Sequence, residues 1–170
     1  MTNWHPWIVH FPIAVLPLSV VLDIAALLWR RPAWHSGAYA LLVLGTVAAA
    51  AAVITGNEAA LPYREIDAVN QFVSRHENYG TVSFLAFLAI TLGRLPLQLQ
   101  RRNTGWPIRL LIGAAAIAVG IVWVASLHGG KLVYEHGLGV RIGAITDLER
   151  AKFLKLQKAD ISQSPRRTNQ

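Results

Sequence analysis

Four stretches of the chain are predominantly hydrophobic runs, separated by short polar and charged segments. They run from Trp7 to Trp29, from Tyr39 to Leu61, from Tyr79 to Leu97 and from Pro107 to Leu127. About 20 residues, rising 1.5 Å each, cross roughly 30 Å of hydrocarbon, and each stretch meets that length. The pattern predicts an all-α fold, a four-helix transmembrane bundle threaded up and down over residues 1–143. Residues 144–170 form a cationic tail, in which Ala144 to Ala159 is expected to be a partly amphipathic extramembrane helix with Ile145, Leu148 and Leu156 on one face. Trp4, Trp7, Trp29, Trp34, Tyr63, Tyr79 and Trp106 fall at segment ends, where amphipathic rings favour the lipid–water interface. Trp123 falls inside a span and is expected to pack internally. Pro12 and Pro17 should bend the first helix, and the run Ala48 to Ala52 should let the second approach its neighbours closely.

Composition supports the bilayer as solvent: 54% of the 170 residues are apolar, 15% are charged, and the mean hydropathy is +0.39. Four spans and their loops leave no length for a separate soluble catalytic module, so function belongs in or beside the bundle. The absence of cysteine excludes disulfides, thiolate metal sites, protein-ligated iron–sulfur clusters of the usual kind and thioether-attached haem. A net charge of +7 does not indicate nucleic acid, because the basic residues lie in loops and the tail rather than between aromatic stacking platforms. They act instead as topology signals. Arg30 and Arg31 after the first span, and Arg94, Arg101, Arg102 and Arg109 around the loop after the third, have no acidic neighbours there, which predicts the cytoplasmic side of a bacterial inner membrane. The loop between spans two and three mixes Arg64 and Arg75 with Glu65, Asp67 and Glu77, as expected of the periplasmic side; the basic tail argues the other way. The N-terminus carries no basic leader, so the first apolar segment is expected to stay in the protein.

Antiparallel threading brings the start of span one, the end of two, the start of three and the end of four to one surface. His5, His10, His76, His128 and His136 all fall there with Glu58, and His35 alone falls opposite. Neutral imidazole binds iron, copper and zinc, and two imidazoles from facing helices can hold haem iron. His10, inside the first span, has the fewest solvent alternatives, and His128 and His76 follow. Gly80 lies one turn after His76 on the same helical face, and Gly120, Ala125, Gly129 and Gly130 near His128 are further small residues against which a haem could lie flat; Gly129 and Gly130 are also expected to interrupt the helix. Arg64, Arg75 and Lys131 are placed to meet propionates. Asp23, an acid inside the first span, is expected to pair with Arg30 or Arg94, and Glu58 to cap its helix, pair with Arg64 or serve as a ligand.

The segments HPWIVHFPIAVLP at the start and HGGKLVYEHGLGV after the fourth span together resemble the domain-of-unknown-function 2231 family, over about residues 4–141. Its members are predicted four-helix bacterial membrane proteins, some fused to or encoded near cytochrome c or Rieske-type redox domains. The resemblance implies His10, His76, His128 and His136 as the family-type histidines. This chain lacks a cytochrome c attachment motif. The expectation is a b-type haem subunit, more an electron-transfer or accessory protein than an enzyme, linking a quinone or membrane oxidoreductase to an extracytoplasmic partner. Two alternatives stay open: a copper, iron or zinc site ligated by the same histidines with Glu58, and a cofactor-free assembly subunit of a larger membrane complex.

Overall fold

The computed structural model describes residues 4–100 and 103–138. Among these the regular elements are all helical: α1 (His5–Ile8), α2 (His10–Leu28), α3 (Trp34–Ala60) with a 3₁₀ turn at Leu61–Tyr63, α4 (Asp67–Leu99) and α5 (Trp106–Tyr134). With α1 and α2 joined as His5–Leu28, and with Trp34–Tyr63, Val69–Leu99 and Trp106–Tyr134, they give four helices long and apolar enough to cross a membrane. The helix expected over 144–159 lies outside the described residues.

The break between α1 and α2 has a local cause. Pro12 has no amide hydrogen for the carbonyl of Ile8, and its ring crowds that carbonyl, so the helix lapses at Val9 and restarts at His10. Pro17 is carried within α2. That helix closes through Arg30, whose φ of +52° is left-handed, with the Arg31 amide returning to the Ala26 carbonyl at 2.9 Å. Glycine normally takes this position, and any other residue there costs about 1–2 kcal/mol. Beyond α5 the matching position is Gly137, at φ +64°.

Each span packs on the next, and the seam between α2 and α5 that closes the ring is thinner than those between consecutive spans. The core draws Leu16 and Val20 from α2, Leu42 and Ala49 from α3, Phe87 and Ile90 from α4, and Ala115 and Val119 from α5. Helices α2 and α3 meet closely at Gly45, where a Cβ would stand 2.6 Å from Leu16 Cδ2. Ala49 and Ala52 continue that buried face, so the alanine run does pack as expected. Leu18, Val21, Ile54, Val82, Leu85, Leu110 and Ile117 are exposed, an outer surface suited to acyl chains rather than water. Trp123 is also on this surface, 58% exposed, and does not pack internally. It sits about 100° around the helix from buried Val122, which takes it off the core stripe.

Two boundaries differ from the sequence expectation in ways that matter for the site. Helix α4 begins at Asp67, well before Tyr79, and α5 continues unbroken through Gly129 and Gly130 to Tyr134. Both helices therefore extend past the apolar stretches at the same end.

Candidate functional site

At that end the helix extensions hold the histidines. The rings of His5 on α1 and His76 on α4 lie 6.1 Å apart between centroids, inclined at 73°. His76 Nδ1 donates to the Ala125 carbonyl of α5 at 3.0 Å, and His128 Nδ1 donates to the Val124 carbonyl at 2.8 Å. A carbonyl can only accept, so both imidazoles carry their neutral-state proton on Nδ1 and leave Nε2 as the lone-pair nitrogen. His5 Nδ1 lies 3.3 Å from Thr55 Oγ1 on α3. Two glycines make room for these rings: a Cβ at Gly56 would stand 2.8 Å from His5 Cε1, and one at Gly129 would stand 2.9 Å from His76 Cε1. Gly129 is thus a seat for a neighbouring ring rather than a helix end. The Tyr79 ring packs against His128 at 5.0 Å, tilted by 37°, and Phe72 against His136 at 4.4 Å, tilted by 36°. His136 Nε2 is buried without a hydrogen-bond partner among the described residues.

The opposite end holds a second polar group. Asp23, His35 and Arg94, from α2, α3 and α4, are 1%, 2% and 2% exposed. His35 Nδ1 lies 2.7 Å from Asp23 Oδ1; Arg94 donates through Nη2 to the same oxygen at 3.1 Å and through Nη1 to Oδ2. Arg94 Nη2 also reaches the His35 carbonyl at 3.3 Å, and the guanidinium lies 5.6 Å from the centre of the Tyr39 ring. Every oxygen of the buried carboxylate is therefore satisfied, the condition under which a charge survives in this setting. Arg94 is the expected partner for Asp23. His35, the histidine that sequence reasoning set apart as an outlier, is the part that was missed. Its signal was depth: Asp23 stands shortly before the first loop and His35 shortly after it, so a hairpin must bring them level.

The family model described as predicted membrane protein (DUF2231) matches residues 2–141. The chain belongs to this family. No curated protein and no solved structure matches it. As a DUF2231 member whose match runs through all four apolar helices, it is a multi-pass membrane protein in contact with the lipid bilayer.

Of the histidines implied by the DUF2231 resemblance, His76, His128 and His136 fall at one end with His5 added, whereas His10 does not meet its expectation of burial. His10 is exposed, because the restart of α2 commits Pro12, Leu16 and Val20 to the core stripe and leaves His10 and Phe11 off it. Gly80 has open space where a Cβ would stand, as does Gly130. Arg64 is bonded to Glu77 at 2.7 Å rather than to Glu58, which is exposed; Arg75 and Lys131 are exposed. Among the described residues, no three His, Asp or Glu side chains converge to hold a bare metal ion.

Proposed function

We propose that the histidine end holds a b-type haem and that the protein is an electron-transfer subunit of the bacterial cytoplasmic membrane, passing electrons between a quinone or membrane oxidoreductase and a periplasmic partner. The observation that carries this reading is the paired Nδ1–H bonds of His76 and His128 to carbonyls of α5, which leave each Nε2 in the form that binds iron. Open space beside Gly80 and Gly130 suits a flat ring, and the unpartnered Nε2 of His136 is a further ligand-competent atom. A porphyrin brings four nitrogens of its own and needs only one or two from the protein, so it requires fewer converging side chains than a bare copper or zinc ion. His76 would hold the iron with His128 or His5, and exposed Arg75 and Lys131 would meet the propionates. A haem ligated by two imidazoles supplies one-electron transfer at such a place.

The test is a reduced-minus-oxidised spectrum of the purified protein with acid-acetone extraction. The expected result is a Soret and α-band difference that is lost in His76→Ala. Absence of both bands and of extractable porphyrin from protein expressed with haem supplied removes the proposal.

A further inference from the structure

The Asp23–His35–Arg94 group borders a cleft of about 190 Å³, bounded by Ala26 and Leu27 at the end of α2 and by Asn103 and Thr104 before α5. His35 lines it, and its Nδ1 is committed to Asp23, while its Nε2 bonds to no described residue. The carboxylate fixes the proton on Nδ1, which makes Nε2 an acceptor awaiting a donor. Arg94 contacts both carboxylate oxygens and so orients Asp23, which in turn holds the imidazole. Arg30 and Arg109 stand at the rim, one of them in the left-handed conformation that only glycine adopts freely.

We infer that this cleft is a binding site for the ring of a quinol, whose hydroxyl donates to His35 Nε2 while its apolar tail leaves past Ala26 and Leu27 into the bilayer. The cleft is smaller than the roughly 300–1,000 Å³ of pockets that enclose whole ligands, which fits a single ring with its tail outside. Its place at the ends of the spans matches the depth at which an amphiphile keeps its head. An acceptor nitrogen selects a hydroxyl donor; a phosphate would find its partners at Arg30 and Arg109 instead. The choice of quinol rests on the electron-transfer reading above, whereas the cleft and its acceptor stand without it.

The experiment titrates the full chain, in micelles of a neutral detergent, with a short-tailed quinol and follows the fluorescence of the tryptophans, among them Trp34 next to His35. Saturable quenching is expected, with affinity at least about ten-fold weaker in His35→Leu, which removes the acceptor. Thr104→Phe, at an exposed position, fills the cleft without touching the buried ion pair and should weaken binding as much. Linear quenching, or affinity in both variants equal to that of the unaltered chain, overturns the inference. So does loss of quenching when phosphatidylglycerol is added at equal concentration, which would assign the cleft to a lipid headgroup. Spectra taken on the same samples separate the two proposals, because quinol binding without a haem band upholds this one and removes the other.

Discussion

Asp23 is held at both oxygens by side chains from two other helices, and that geometry sets the cost of disturbing it. Removing one partner from a buried pair strands the other charge, at about 3–5 kcal/mol, while replacing both with apolar groups of similar size is often neutral. Asp23→Ala and Arg94→Ala should each destabilise by that order, and Asp23→Leu combined with Arg94→Leu should cost less than either alone. Unfolding in mixed micelles, followed by circular dichroism, measures the three; a double variant worse than the singles would show that the pair contributes more than it costs to bury. At the other end Gly129 and Gly130 form a matched comparison. A Cβ at Gly129 would stand 2.9 Å from His76 Cε1, whereas Gly130 faces open space. Gly129→Ala should displace the His76 ring from the Ala125 carbonyl and diminish the haem spectrum, and Gly130→Ala should leave the His76 ring where it is. Equal spectra in the two variants would mean that His76 is not a ligand. His76 and His128 are legible in the sequence as sharing one surface, whereas the interruption expected at Gly129 and Gly130 does not occur, because the cost of glycine in a helix, about 1 kcal/mol, is visible in a sequence and the packing that offsets it is not.

The helices were legible wherever lipid is the solvent, since hydropathy then acts on every side of the helix. They were less legible where α4 and α5 leave the apolar stretch. Asn70, Gln71, Ser74, Arg75 and Glu77 read as loop, yet α4 runs through them, carrying Val73 into a small core with Ala60 and Leu132. Tertiary packing of a few apolar residues was enough to extend a helix whose composition did not announce it. Inside the bilayer, most hydroxyls return to carbonyls of their own helix, as Ser83 does to Tyr79 at 2.7 Å and Ser126 to Val122 at 2.8 Å. Thr46 does the same to Leu42 at 2.8 Å, and its Oγ1 also lies 2.9 Å from Thr91 Oγ1 across the α3–α4 seam. Hydrogen bonds between membrane helices average about 0.6 kcal/mol and reach about 1.7 kcal/mol. A double-mutant cycle with Thr46→Val and Thr91→Val should return a coupling within that range. A coupling of zero would mean that this hydroxyl pair adds nothing to the packing and the other polar contacts between these two helices, such as Gln98 to Ser36.

At the scale of the whole molecule the two polar ends differ in charge as well as chemistry. Arg30, Arg31 and Arg109 flank the loops at the Asp23 end without acidic neighbours, whereas at the histidine end Arg64 is paired with Glu77 and Lys131 is followed by Glu135. Basic residues close to span ends resist translocation, and acidic ones count for little, so the Asp23 end is expected in the cytoplasm and the histidine end outside. In sequence the basic residues from Arg150 to Arg167 follow the span that ends at the histidines, and the prediction holds only if the short loops dominate over them. The chain contains no cysteine, so single cysteines can report orientation without background. Asn78→Cys at the histidine end and Ala33→Cys at the other are both at exposed positions. In intact spheroplasts a membrane-impermeant maleimide should label Asn78→Cys at once and Ala33→Cys only after lysis. The reverse pattern would place the histidines in the cytoplasm, where a periplasmic electron acceptor could not reach them, and the partner would then have to be a cytoplasmic one.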